Sequence, residues 1–383
     1  MDINKINQMY NIIIYFPFPM KPTSGGVERV SKVLGDWFER QGHSVTYVSD
    51  YFLDNTSILP NDKVGLYDEE NLRAFERYIQ EKEIDYIINQ AGILPQSYPL
   101  MKMNRGSTKI ISVFHNSLYG MYSHPNIGIN HRMLLKFAEL SSVKWLFRKL
   151  FYHKYNSFLK GIVLNSDAVV LLSESYKSEL KHFAGVDGEL VVSIGNPLTL
   201  PIMSAEFNKK KEIIYLGRLS WQKRPDILLD IWRIVYKRHS DWTLRFIGDG
   251  EMKEYLAREI KKKNIRNVYL EGTRNPESYL KDASILGMTS SYEGFPLVLY
   301  EAMNYGVVPI ALNTFAGLKD IVSNGYDGIV VSSGGYATFI KEMERLMEDT
   351  SELQRMSRNC LNTVKDKTID NIGEKWIELF ERI

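Results

Sequence analysis

The chain has 383 residues, a formal net charge of +2, 44% hydrophobic and 25% charged residues, and a single cysteine, Cys360. These values fit an ordinary globular protein of two domains with ample apolar material for two cores. They exclude an intramolecular disulfide framework and any strong overall field toward nucleic acid. The first residues, MDINKINQMYNIIIYF, lack a long apolar core with a cleavage site, and no stretch approaches the ~20 apolar residues of a membrane span, so a cytoplasmic protein is expected.

Taken in order, Asn11–Phe18 reads as a buried first strand. Pro22-Thr23-Ser24-Gly25-Gly26 follows, then a helical pattern through Val33, Leu34, Trp37 and Phe38 that Gly42 ends. A strand, a glycine loop and a helix in that order point helix N–H groups into a crevice. His43–Val48 reads as a strand, Asn71–Glu81 as a helix, and Ile84–Ile88 and Lys109–Phe114 as strands. The last of these ends at His115-Asn116, where a parallel α/β sheet places ligand-binding residues. Ala168–Leu172 is a further strand, and Ser173 after it is a candidate helix cap. Residues 141–161 stand apart, with five lysines and arginines, six aromatics and no acid. Val143, Leu146, Phe147, Leu150 and Phe151 share one helical face, which suits either the headgroup layer of a membrane or packing on the chain's own domain.

Ile194-Gly195-Asn196-Pro197 breaks the pattern and sets a domain boundary near 195. Glu212–Leu219 restarts a strand, with Gly217-Arg218 at its end and Lys223 before a helix over 225–238. Two cations at a strand end can neutralise a diphosphate, arginine with bidentate geometry. Thr243–Ile247, Val268–Gly272, Ile285–Met288, Val307–Ala311 and Gly328–Val331 are the remaining strands, and helices run from about Tyr336 to Thr363. Residues 370–383 carry Ile372, Trp376, Ile377 and Phe380 on one face.

The richest stretch is 283–306. After its strand comes a loop of small and polar residues, and Pro296 then suits the first position of a helix that Gly306 ends. The start of this helix offers unpaired N–H groups and a positive dipole end, hence a phosphate site. Glu293 precedes it, and Glu301 lies about 7 Å along its axis. Carboxylates are good acceptors for sugar hydroxyls, so the layout suits hydroxyls, then a diphosphate, then hydroxyls: a nucleotide sugar.

E-G-F-P-L-V-L-Y-E resembles the E-x7-E motif of family 4 glycosyltransferases, and G-R-L-S-W-Q-K resembles that family's G-R-x4-K donor motif. The resemblance runs along essentially the whole chain and is strongest over 212–331. It implies an α/β protein of the GT-B fold, two doubly wound Rossmann-like domains facing across a cleft. Residues 1–195 would bind the acceptor, 196–369 the donor, and the tail 370–383 would pack back on the first domain. The implied activity is retaining transfer of a sugar from a nucleoside diphosphate sugar to a saccharide or lipid-linked acceptor, in surface polysaccharide or lipopolysaccharide synthesis. Glu293, Arg218, Lys223 and His115 would be catalytic. The donor would meet Gly25, Gly26, Gly217, Gly272, Thr273, Phe295, Pro296, the N–H groups of Leu297, Val298 and Leu299, and Glu301. Glycines 25 and 26 would also let the backbone approach the acceptor. No D-x-D sequence is present, so no metal is expected, and no cofactor beyond the nucleotide sugar, UDP-linked by preference. A nucleotide-sugar epimerase of the same fold, or a two-lobe sugar-binding protein without activity, are the alternatives.

Overall fold

A computed structural model describes residues 8–18, 25–49, 65–123, 141–186, 190–203 and 208–383. It divides into a first unit, containing residues up to Leu118, Trp145–Thr199 and Ile369–Ile383, and a second whose main part is Leu200–Thr368.

The first unit is a six-stranded parallel sheet. Its elements are β1 (Asn11–Phe16), α1 (Gly26–Arg40), β2 (Ser44–Ser49), α2 (Glu69–Glu81), β3 (Tyr86–Asn89), β4 (Lys109–Phe114), the first residue of α3 (Leu118–Ser123), α4 (Ser141–Asn165) from Trp145 on, β5 (Ala168–Leu171), α5 (Tyr176–Ala184) and β6 (Val191–Ser193). The spatial order is β2-β1-β3-β4-β5-β6. Strands covered on both faces read as unbroken apolar runs, and β1 is such a run, with Ile12 to Phe16 all buried. Asp68 starts α2 by accepting the N–H groups of Glu70 and Asn71. Ser173 is not a helix cap: α5 begins at Tyr176, and the Ser173 hydroxyl instead accepts the Ser175 N–H in a tight turn. The short β6 had no signal, because its three residues are only half-buried.

The second unit is built the same way from β7 (Glu212–Leu216), α6 (Pro225–Val235), β8 (Thr243–Ile247), α7 (Lys253–Lys262), β9 (Val268–Gly272), α8 (Glu277–Asp282), β10 (Ile285–Met288), α9 (Leu297–Asn304), β11 (Val308–Asn313), α10 (Leu318–Ile321), β12 (Ile329–Ser332), α11 (Tyr336–Glu348) and α12 (Thr350–Thr363). Its order is β12-β11-β10-β7-β8-β9, again all parallel. β7 stops three residues before the expected end because Gly217 turns the chain at φ +146.

A last helix, α13 (Ile369–Arg382), belongs to the first unit. Its Gly373 lies so close to Trp37 of α1 that a Cβ there would come 2.5 Å from the indole. Trp37 Nε1 donates to Asp370 at 2.7 Å, and Phe380 stacks on Tyr86 of β3 with ring centres 4.1 Å apart. No helix among the described residues is long and apolar enough to cross a membrane.

Candidate functional site

In a doubly wound sheet, ligands sit outside the carboxyl ends of the two strands where the winding direction changes. In the second unit those strands are β7 and β10, with β8 and β9 on one side and β11 and β12 on the other. The loops leaving β7 and β10 are the two stretches that carry Arg218, Lys223 and Glu293.

Glycines let these loops close on one another. A Cβ on Gly248 would lie 2.0 Å from the Gly217 carbonyl, and one on Gly250 would lie 2.5 Å from that of Leu219. The turn after β8 therefore packs backbone to backbone on the Gly217–Leu219 segment, and Leu219 N–H donates to Asp249 O at 2.9 Å. The Tyr215 hydroxyl donates to Arg218 O at 2.7 Å, which fixes the backbone of Arg218 from below. The Arg218 side chain is exposed and makes no ion pair or hydrogen bond within the described residues.

The β7 and β10 loops are then tied together. Ser291 N–H donates to Gln222 O at 2.8 Å, and Gln222 Nε2 donates to Tyr292 O at 3.2 Å. Arg224 adopts a left-handed conformation, φ +51, and its guanidinium grips Asp226 at 3.0 and 3.1 Å with both residues buried. Thr289 donates to the Arg224 carbonyl at 2.8 Å. No local signal marks this clamp, because its backbone twist depends on contacts made only in the fold. Its outcome is the central contact of the site: Lys223 Nζ lies 2.6 Å from Glu293 Oε1, with the carboxylate side chain 7% exposed and the ammonium 26%. Burial, and secondarily the Glu293 carboxylate, hold the Tyr292 hydroxyl above its ordinary pKa.

Helix α9 follows directly. Pro296 is its N-cap in extended conformation, not its first helical residue, and Gly306 lies just past its end at φ +67. Phe295, Leu297 and Leu299 are buried, so only backbone is presented here. Leu299 N–H is already taken by Pro296 O at 3.1 Å, which removes it from the expected set. The N–H groups of Leu297 and Val298 have no partner among the described residues and remain available. Glu301, one and a half turns on, is buried. Gly272, at φ +69, pairs with Gly248, and Thr273 is exposed beside it. The β7 loop thus carries the two cations, and the β10 loop with α9 carries the two carboxylates and a helix start with two unpaired N–H groups.

The first unit changes winding between β1 and β3. Gly25 and Gly26 open α1 at the end of β1's loop, whose Pro22, Thr23 and Ser24 lie outside the described residues. A Cβ on Gly25 would lie 2.4 Å from the Glu28 carboxylate, so an acid already folds over this helix start. His115 follows β4, half-buried, with Nε2 2.5 Å from Gln90 Oε1. Burial pushes its pKa down to about 4.

Two family models match this chain, "Glycosyltransferase Family 4" over residues 24–200 and "Glycosyl transferases group 1" over 202–362. Together they span all but its ends. The chain belongs to glycosyltransferase family 4. The amylovoran biosynthesis glycosyltransferase AmsD of Erwinia amylovora is 25% identical to this family member over 373 residues, 93% of this chain and 96% of AmsD. Among solved structures, the lipopolysaccharide outer core galactosyltransferase WaaB in its apo form aligns with a TM-score of 0.72 at 19% identity, covering 98% of this chain and 100% of WaaB. HepE of Anabaena in complex with UDP aligns with a TM-score of 0.67 at 16% identity, covering 98% of this chain and 100% of HepE. The fold of this glycosyltransferase is GT-B, as its two parallel α/β sheets and these neighbours show.

Proposed function

We propose that this glycosyltransferase moves a sugar from UDP-sugar to a saccharide or lipid-linked acceptor, with retention and without a metal, in surface polysaccharide or lipopolysaccharide synthesis. The reading is supported by Arg218 and Lys223 on the β7 loop and the free N–H groups of Leu297 and Val298 after β10, the two strands that flank the winding change of the second unit. A diphosphate seated there meets two cations and a positive helix end, which stabilise the charge that builds on it as the glycosidic bond breaks. That supports leaving-group neutralisation without a divalent ion. Lysine has three donors, so Lys223 can keep Glu293 while reaching phosphate. Glu293 then accepts from the sugar hydroxyls and Glu301 from the ribose. Gly272 and Thr273 border the base. In the first unit, the Glu28 carboxylate over Gly25 supports an acceptor hydroxyl at that helix start, since an acid disfavours phosphate there. The UDP bound by HepE and the amylovoran biosynthesis named for AmsD support the donor and pathway class.

A lipid-linked acceptor draws support from α4. Trp145, Leu146 and Leu150 in its first half are 51–61% exposed, and the Lys149 ammonium sits 5.2 Å over the Trp145 ring. Side chains of Phe147 and Phe151, on the same expected face, lie outside the described ones. Leu159 and Ile162, in the second half, are buried. The test is incubation of the protein with UDP-sugars, with and without saccharide and polyprenyl-linked acceptors. Transfer that needs acceptor and survives a chelator is expected. Conversion of donor alone to an isomeric nucleotide sugar would make it an epimerase.

A further inference from the structure

We propose that Gln90 is a positioning residue for His115, holding the imidazole as the tautomer protonated on Nε2 and leaving the Nδ1 lone pair to accept a hydrogen bond from a substrate hydroxyl. The inference rests on reading His115 as a site residue, as above.

β3 and β4 are parallel neighbours with Asn89 opposite Ser112, so the residues that leave them emerge at one edge. Gln90 N–H continues the pairing with β1 by donating to Tyr15 O at 3.0 Å. The turn that follows is held in three ways. Asn89 Oδ1 accepts the Ala91 N–H at 3.0 Å, and Asn89 Nδ2 donates to Ser112 Oγ at 3.2 Å. Gly92 then lies against β4, where a Cβ would come 2.1 Å from the Val113 carbonyl. A chain clamped on both sides of Gln90 leaves its side chain little freedom, and the residue is 8% exposed.

The Gln90 amide oxygen faces His115 Nε2 at 2.5 Å. An amide oxygen only accepts, so Nε2 carries the proton and Nδ1 carries the lone pair. Nδ1 has no partner among the described residues. Burial, with no neighbouring charge contributing, disfavours the imidazolium. At neutral pH the ring is therefore an acceptor at one nitrogen and a fixed donor at the other. It acts neither as a cation nor as a proton donor to the leaving group. A glutamine does this where an acid could not, because a carboxylate at Nε2 would draw the ring into its charged form.

Nitrogen-15 NMR of the histidine rings in the full-length protein reads the tautomer directly, with His115→Gln to assign the signal. The expected result is a neutral ring with its proton on Nε2. In Gln90→Glu, the His115 signal titrates at higher pH, and transfer falls about tenfold near neutrality and recovers in alkali, while the unchanged protein shows no such limb. Gln90→Leu, which removes the acceptor without adding charge, scrambles the tautomer and lowers transfer about tenfold at every pH. A ring protonated on Nδ1, or a folded Gln90→Glu protein with an unshifted His115 titration, would overturn the proposal. If the ring behaves as expected but neither His115→Gln nor the Gln90 variants alter transfer, Gln90 still orients His115 and it is the placement of His115 in the site that fails.

Discussion

Replacing Lys223 by methionine removes one half of the 2.6 Å pair with Glu293 while keeping most of the side-chain stem. The two partners differ in exposure, 26% for lysine and 7% for glutamate, so the variant strands a buried carboxylate and not a buried ammonium. Breaking a fully buried pair costs about 3–5 kcal/mol. An exposed pair contributes about 0.2–1 kcal/mol. A pair wet on one side falls between, at about 2 kcal/mol, or roughly 4–8 °C in the melting temperature of a unit this size. Removing the stranded charge as well, in Lys223→Met with Glu293→Gln, should return most of that loss, with a coupling of about 1–2 kcal/mol in the double-mutant cycle. Transfer should not return. In the proposed reading both side chains act on the donor, so the single and double variants alike should lose about 10²–10³-fold in turnover. Calorimetry and initial rates with the preferred UDP-sugar separate the two effects. A double variant no more stable than the single, or a single variant with nearly full turnover, would refute the argument.

Arg218 makes the opposite case. Its side chain is exposed and unpaired in the described structure, so Arg218→Ala should leave the melting temperature unchanged while turnover falls about a hundredfold. His43 gives a pH signature. Its Nδ1 accepts the Tyr10 N–H at 3.2 Å, and burial lowers its pKa below the ordinary 6.5. The folded state thus resists a proton that the unfolded state takes up. Stability contributed by neutral His43 is fully present above pH 6.5 and is lost as pH falls toward the depressed value, so melting temperatures measured from pH 7.5 to 5 should fall, and fall less in His43→Gln. Flotation with anionic vesicles should recover the protein at low salt. Trp145→Ala with Leu150→Ala should weaken that recovery about tenfold without altering transfer to a water-soluble acceptor.

Strands were legible where an apolar run is bounded by polar or turn-forming residues. Lys109–Phe114, Thr243–Ile247, Val268–Gly272 and Ile285–Met288 all fall where hydrophobicity and turn residues place them. Helix α7 left no such mark, because Leu256 is its one buried residue and most of the rest is charged. At the site, residue types that bind phosphate and hydroxyls were readable from spacing along a single stretch. Details set by the meeting of distant segments were not. The twist at Arg224 and the contact of Gln90 with a histidine 25 positions away depend on tertiary structure, and the loss of the Leu299 N–H to Pro296 on the exact residue at which the helix starts.

The return of α13 to α1 has a consequence for biosynthesis. A ribosome releases the entire second sheet before it releases the 14 residues that complete the first. Trp37 and Tyr86 therefore wait, with one flank uncovered, until residues 369–382 have emerged. The sheet encoded later can mature earlier, and a chain stalled before residue 369 should carry one finished half and one vulnerable to proteases at the opening segment.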